Sequence, residues 1–487
     1  MGLERISTLN IHKNTKVKVF LSFISVLGLG LRLFQLGKDS FWCDEAGVAI
    51  VASQSSISDA YSEMLTHAMA MPLDYVISWL IAQFTLSEFF LRFPSVIWGV
   101  ATLLVSYILF SHLCNRSVAL LGSCLLALSP LHIQFSQELR FYSALIFFYT
   151  LSSLLLFEAI RHNGRKHWLA FLLVTSIGIY FHIYVILSLV NGMAWFLRSE
   201  YKNSSTILKK YVVVSVCLIA LSVIGYLLFG ARQTFDMPLL QYHEFWRGIF
   251  LGFGWIPTTA DTWPWNYLWG GITLLFFLFG MYVIFSQRLI YLRETVVSIF
   301  LQFGIIIIAD VFVGYWFVYR QLLIFLPFTL LVSALGLWSV FRRLRWGNVV
   351  IYILCFMVWI PSLAYYYRWP KSLGREIVQQ LDRHWIDGDV FLITYTCEKR
   401  MYDFYLTSIG RRDIYQGSIA IPRSNISATL VSFEKDNRTS GDIYISVAYP
   451  TPADYEMLTQ LGYSSIIYDS YNGIMPQQLF AKNSASP

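Results

Sequence analysis

The chain has 487 residues, of which 56% are hydrophobic, 17% aromatic and only 13% charged, with a formal net charge of +7. Soluble globular chains carry about 25% charged residues, so this balance excludes a water-soluble enzyme and makes lipid the main solvent. The positive excess sits mostly in short loops between apolar runs, which is a topogenic pattern and not a nucleic-acid footprint.

The first apolar run, VFLSFISVLGLGLRLFQLG at 19–37, follows Arg5, Lys13, Lys16 and Lys18 and has no small-x-small cleavage site, so it reads as an uncleaved signal anchor. The spans expected near 17–37, 95–112, 117–131, 141–160, 168–181, 183–198, 211–229, 266–285, 295–314, 321–340 and 349–366 give about eleven transmembrane helices, in a range of about eleven to thirteen. The segment LDYVISWLIAQFTL at 73–86 is apolar but short for a crossing. Loop charge decides its fate, because Lys and Arg collect on the cytoplasmic side. If 73–86 does not cross, the basic loops 112–116, 161–167, 198–210, 286–294 and 341–348 all share the side of the basic N-terminus; if it crosses, all of them oppose it. The segment is therefore expected to lie along the outer interface or to re-enter.

On this reading the outer face carries the first loop 38–92, the stretch 130–140, the turn at His182, the loop 230–265, the turn 315–320 and everything after about 367. The expected fold is a polytopic α-helical membrane protein, with a transmembrane domain over 1–366 and a small extracytoplasmic α/β domain over 367–487. In the latter, GDVFLITY (388–395) and GDIYISVAY (441–449) read as buried strands, flanked by amphipathic helices at 372–385 and 453–461. Neither an internal repeat nor a low-complexity tract is present. Of the six cysteines, Cys114, Cys124, Cys217 and Cys355 lie in or beside spans, which leaves Cys43 and Cys397 to share the external compartment, with no spacing rule to select a bond between them.

Ionisable residues near the membrane edge gather on the outer face, where charge is costly unless paired or used. Asp44 and Glu45, in DSFWCDEAG beside Phe41 and Trp42, read either as a solvated acidic pair at a helix start or as a general base at the membrane surface. Arg92, in FLRFPS, is either a snorkelling span-end residue or a functional cation. The run SPLHIQFSQELRFYS places His132, Gln137, Glu138, Arg140 and Tyr142 at one outer edge, with a structural Glu138–Arg140 pair as the bland alternative. His182 with Tyr184, and Tyr319 with Arg320, mark two further outer turns. The loop 230–265 holds Arg232, Asp236, His243, Glu244 and Arg247 at no specific spacing. Walker, GxSxG, HExxH and Cys/His metal patterns are missing, so nucleotide-driven pumping, serine hydrolysis and zinc proteolysis lack support.

The DE pair of the first loop, Pro72-Leu73 with Tyr75, the Arg92–Ser95 span entry and the Ser129–Tyr142 segment occur in an order that resembles the GT-C membrane glycosyltransferases of the family 39 type, which include protein O-mannosyltransferases and the aminoarabinose transferase of lipid A. The match covers the first 200 residues or so; beyond them it is one of span architecture. The resemblance implies transfer of a sugar from a polyprenyl-phosphate carrier to an acceptor hydroxyl on a glycan, lipid or protein, at the outer face of a bacterial membrane, with no nucleic acid involved. A lipid phosphate leaves readily if cations hold it, and Arg does so bidentately. Asp44 is then the expected base and Glu45 its support or an acceptor contact. Arg92 and Arg140 are the expected phosphate ligands, Glu138, His132 and Tyr142 shape the sugar or orient Arg140, and His182 and Arg320 complete the donor site. No cofactor is expected; Asp44 and Glu45 could ligate a divalent cation, the alternative, but offer few oxygens for one.

Two departures stand out. The usual His-Pro-Pro-Leu-Tyr reads Ala70-Met71-Pro72-Leu73-Asp74 here, and the α/β tail differs from the β-trefoil insert of eukaryotic mannosyltransferases. Two other classes compete: a transporter or flippase of lipid-linked sugars, which needs polar cavity residues at mid-span, and a non-catalytic envelope assembly factor.

Overall fold

The computed structural model describes residues 15–66, 71–198, 202–229, 242–255, 265–313, 319–344, 346–368, 371–435, 442–466 and 477–482. A rod α1 (Thr15–Leu33) leads to the short helices α2 (Cys43–Ala52), α3 (Ile57–Thr66) and α4 (Pro72–Ala82). The bundle continues through α5 (Glu88–Leu113), α6 (Arg116–Leu128), α7 (Pro130–Ser136), α8 (Tyr142–His162), α9 (Arg165–Ile179), α10 (Ser188–Arg198), α11 (Ser205–Phe229), α12 (Tyr242–Gly252), α13 (Trp265–Ser286), α14 (Ile290–Val313), α15 (Leu326–Phe341) and α16 (Gly347–Arg368). Single 3-10 segments, Ile183–Leu187 and Tyr319–Phe325, lead into α10 and α15.

Every expected span is occupied by a helix. Among the described residues, five helices are long and apolar enough to cross a membrane alone, and six if the bent pair α6–α7 is one crossing. Helix α4 has 11 residues and so reaches only about 16 Å, half of a hydrocarbon layer. Alone it is too short to cross, in keeping with the loop charges. The crossings divide by environment. The windows of α8 and of Tyr319–Phe341 are each 83% buried, whereas that of α11 is 22% buried, and α11 turns residues such as Leu227 and Val213 outward to lipid.

The bend between α6 and α7 shapes the site, and it is written locally. Ser129 precedes a proline, which pushes it to extended backbone (φ −60°, ψ 115°) and ends α6. Pro130 then starts α7 at a position that needs no N–H, the Ser129 hydroxyl receives the His132 N–H, and the axis turns by 59°. Gly99 of α5 makes room for the turned segment: a Cβ there would strike Ser136 and sit 3.0 Å from Arg32 Nε. As a result residues 137–141 run beneath α2.

The C-terminal part is built on α17 (Gly374–His384), β1 (Val390–Ile393), α18 (Thr396–Ser408), α19 (Arg412–Gln416), β2 (Ser418–Ala420), α20 (Ile426–Lys435), β3 (Ile443–Ala448), α21 (Pro452–Gln460), β4 (Tyr463–Ser465) and β5 (Gln477–Lys482). Its five-stranded sheet has the order β2-β1-β3-β5-β4. Strands β2, β1 and β3 are parallel, joined by helical crossovers, while β5 is antiparallel to β3 and β4.

This part is clamped to the first loop. Phe41 packs against Phe404 at 5.4 Å between ring centres, its N–H bonds the Tyr405 hydroxyl at 2.7 Å, and that hydroxyl donates to Glu88 at 3.0 Å. Arg375 pairs with Glu88 at 2.9 Å, and Lys371 donates to the Gln137 carbonyl at 3.0 Å. Cys43 and Cys397 form a disulfide with their Cα atoms 5.5 Å apart. The first loop and the C-terminal part therefore share one face of the bundle. Replacing Cys397 with Ser is expected to cost about 2–4 kcal/mol, read as a lower thermal midpoint; an unchanged midpoint would assign the clamp to its apolar and polar contacts alone.

Candidate active site

Four arginines, Arg32 and Arg92 buried and Arg140 and Arg320 partly buried, lie at or under this face, and what distinguishes them is how many of their five N–H donors are already used. Arg92 uses all five. Its Nε and Nη2 hold the two Glu45 oxygens at 2.8 and 2.7 Å, and its remaining donors reach the carbonyls of Leu36, Asp39 and Ser40 at 2.8 to 3.1 Å. Glu45 is equally saturated, since it also accepts the Leu139 N–H at 2.7 Å and the Trp42 N–H at 3.3 Å, the latter as a cap of α2. Side-chain exposure is 1% for Arg92 and 0% for Glu45. This corrects two expectations: Arg92 has no donor left for a phosphate, and Glu45 has no oxygen left for an acceptor. Together they pin α2, α5 and the 137–141 segment to one another.

Arg32 is a second saturated arginine, fully buried in α1. It donates to the carbonyls of Gly28, Ala127 and Leu126, to Ser136, and to His132 Nδ1 at 2.6 Å. His132 is thereby an acceptor at Nδ1, its proton sits on Nε2, and its partner is a framework residue; the expected sugar contact is corrected to a structural one. Glu138 does not pair with Arg140. It accepts from Gln134 at 3.2 Å, and burial drives its carboxyl up to about 7 against the pull of Lys371.

The other two arginines converge on Asp44. Arg320 pairs with Asp44 Oδ2 at 2.7 Å, and Arg140 donates to the Asp44 carbonyl at 3.5 Å and bonds the Tyr75 hydroxyl. Each keeps a buried Nε–H with no acceptor, and Asp74 Oδ2, Glu138 Oε2 and Trp42 Nε1 are likewise buried without partners. Buried polar atoms are almost always satisfied, so several orphans around one point mark a place where a polar ligand belongs. The ring of Tyr142 lies between the guanidinium groups, 5.7 Å from Arg140 and 5.6 Å from Arg320, and Trp42 backs Arg320 at 5.0 Å. Asp44 itself is 28% exposed. Burial raises its proton affinity, but Arg320 and Arg140 outweigh that and hold the carboxyl below the ordinary carboxylate range.

His182 stacks on Phe141 at 4.8 Å and accepts the Tyr184 N–H at Nδ1. Burial and Arg140 push its pKa down to about 3, so it stays neutral beside the cations. Asp74, in the first turn of α4, faces the same space, and burial drives its carboxyl up to about 6, with Arg140 pulling the other way. Between pH ~4 and ~6 the unfolded Asp74 ionises while the folded one stays protonated, so its ionisation costs stability above that window. Asp74→Asn should therefore raise the thermal midpoint at pH 7.5 and leave it unchanged at pH 4; equal shifts at both would place Asp74 in solvent.

Among the described residues, no three or more His, Cys, Asp or Glu side chains gather as a metal site. Two guanidinium groups occupy the space beside Asp44, a donor set that does not fit a divalent cation. Arg232 and Asp236 lie outside the described residues, as do the side chains of His243, Glu244 and Arg247.

The helical bundle with its C-terminal module shares its fold with a membrane oligosaccharyltransferase of known structure. Residues 68–228 match the family model of dolichyl-phosphate-mannose-protein mannosyltransferase. The Archaeoglobus fulgidus oligosaccharyltransferase in its apo form aligns with a TM-score of 0.56 at 11% identity, over 94% of this chain and 73% of that one. The same enzyme solved with zinc and sulfate gives 0.53 at 12%, over 88% and 68%. ArnT from Cupriavidus metallidurans, solved with undecaprenyl phosphate, gives 0.49 at 11%, over 96% and 99%. No curated protein matches the sequence.

Proposed function

We propose that the protein is an inverting glycosyltransferase that moves a sugar from a polyprenyl-phosphate carrier to an acceptor hydroxyl on the outer face of the membrane. The carrying observation is that Arg140 and Arg320, which among the described residues keep unused buried donors, meet at the partly exposed Asp44. The family model matching 68–228 is named for a polyprenyl-phosphate sugar, which supports the donor class. The side of the basic loops supports the orientation.

In the proposed step the acceptor oxygen attacks the anomeric carbon and the carbon–oxygen bond to phosphate breaks. The electron pair leaves on the phosphate, held by Arg140 and Arg320, and the acceptor proton passes to Asp44. Donor binding prepares that transfer. A phosphate that draws Arg320 to itself removes part of the charge that depresses Asp44, so the carboxylate becomes more basic when the donor is in place. Tyr142, between the two cations, fixes their planes, and no metal is needed in this scheme.

Transport receives less support. One polar cluster inside the bundle is closed on itself: Tyr149 donates to Gln302 at 2.7 Å, Asn191 donates to Tyr149 and Ser153 at 3.0 and 3.1 Å, and Gln302 donates back to Asn191 at 2.9 Å. A closed network of this kind ties helices together, and its members are not free to line a path. Binding of undecaprenyl phosphate to protein in nanodiscs tests the proposal. Arg140→Ala and Arg320→Ala should each weaken it about tenfold or more, the worth of a charged hydrogen bond. Unchanged affinity in both variants would overturn the phosphate assignment.

A further inference from the structure

The edge of the C-terminal sheet reaches the site from above. Strand β3 ends at Ala448, which packs with Cys43, Trp42 and Cys397. The next residue, Tyr449, has φ 50°. A left-handed backbone is costly for a residue with a side chain, and the following Pro450 favours extended backbone before it. Such strain persists where the surroundings hold a side chain in place for use.

The Tyr449 ring meets that of Tyr395 edge-on, with centres 6.3 Å apart at 86°. Both rings remain about half exposed, at 48% and 47%. Tyr395 lies two residues before Cys397, whose disulfide partner Cys43 precedes Asp44, and Tyr449 follows Ala448, which packs with Cys43. Tyr449 is within electrostatic reach of Tyr319 and Arg320, and Arg400, exposed one turn along α18, is within reach of Asp44.

We infer that Tyr395 and Tyr449 form the acceptor subsite, a corner of two phenol rings that takes a sugar ring of a carbohydrate acceptor and turns its hydroxyl toward Asp44. The inference rests on the transferase reading and names its acceptor class. A pyranose has an apolar C–H face that stacks on aromatic rings and a rim of hydroxyls that phenols and Arg400 can bond. A polypeptide acceptor would be better served by an open strand edge. The strand that ends here, β3, lies between β1 and β5 and has no open edge.

The test is mass spectrometry of cell-envelope glycans, glycolipids and proteins from the host carrying the wild-type gene, no gene, or the Tyr449→Gly or Tyr395→Ala variant. Glycine adopts the left-handed backbone without strain, so the Tyr449→Gly protein should keep or raise its thermal midpoint and bind undecaprenyl phosphate as the wild type does. The expected result is a sugar-mass increment on a saccharide, lost without the gene and reduced about tenfold or more in both variants. An increment on a polypeptide, or one retained in Tyr449→Gly, overturns the acceptor subsite and leaves the transferase reading standing. No gene-dependent increment on any class overturns both.

Discussion

Replacing Asp44 with Asn should reduce sugar transfer by about a thousandfold or more while leaving undecaprenyl phosphate bound as tightly as before, or more tightly. Loss of a positioned general base removes about 10²–10⁴ in rate, and no second carboxylate is available to stand in. Glu45 is consumed by Arg92, Leu139 and Trp42. Asp74 stands on α4 beside Arg140, whereas Arg320 pairs with Asp44. The effect on the donor has the opposite sign, because Asp44 and the phosphate compete for Arg320. Transfer by the Asn variant at the wild-type rate would remove Asp44 from the chemistry; transfer lost together with phosphate affinity would make it a binding residue.

Arg92→Ala should be the most destabilising single change on this face, at about 3–5 kcal/mol, because it strands the Glu45 carboxylate in a fully buried position. Lysine is not a rescue: it cannot supply five donors in a fork to one carboxylate and three carbonyls. Glu45→Gln is milder, since an amide still accepts from the guanidinium. The double change Glu45→Gln with Arg92→Met should recover part of the single-variant loss by removing both charges. Burial raises the Glu45 pKa, but Arg92 outweighs it and holds the carboxyl low. The stability this pair provides is therefore present at neutral pH and lost as pH falls through that depressed value. Thermal midpoints in nanodiscs report all of this. An Arg92→Ala protein with a wild-type midpoint and weakened undecaprenyl phosphate binding would return Arg92 to the phosphate site.

The contrast between Asp44 and Glu45 shows where the sequence was informative. Hydropathy placed a helix at each expected span, and loop charge argued for the outer interface at 73–86, because both follow from the cost of placing polar groups in lipid. The same reasoning gathered Asp44, Arg140, Tyr142, His182 and Arg320 on one face, and the fold brings them together. It could not separate Asp44 from its neighbour, nor Arg140 from Arg92, because the distinction lies in how many hydrogen bonds each group already makes across the tertiary structure. Arg32, inside the first apolar run, was the readable sign that went unused: an arginine in a span needs a partner, and His132 is that partner. The Cys43–Cys397 bond had no such sign, since its halves are separated by 354 positions and are joined only when α18 docks on α2. Asp74 was visible as a departure from the Pro-Leu-Tyr pattern, but its burial beside Arg140 was not.

The most direct test of the central claim is a transfer assay in the host envelope. Polyprenyl-phosphate-linked sugars and sugar-modified envelope products would be quantified together by mass spectrometry in strains with the wild-type gene, no gene, and Asp44→Asn. The account predicts that the Asp44→Asn strain matches the strain without the gene, with the lipid-linked donor accumulating and the modified product missing. A modified product at wild-type level in the Asp44→Asn strain would contradict it.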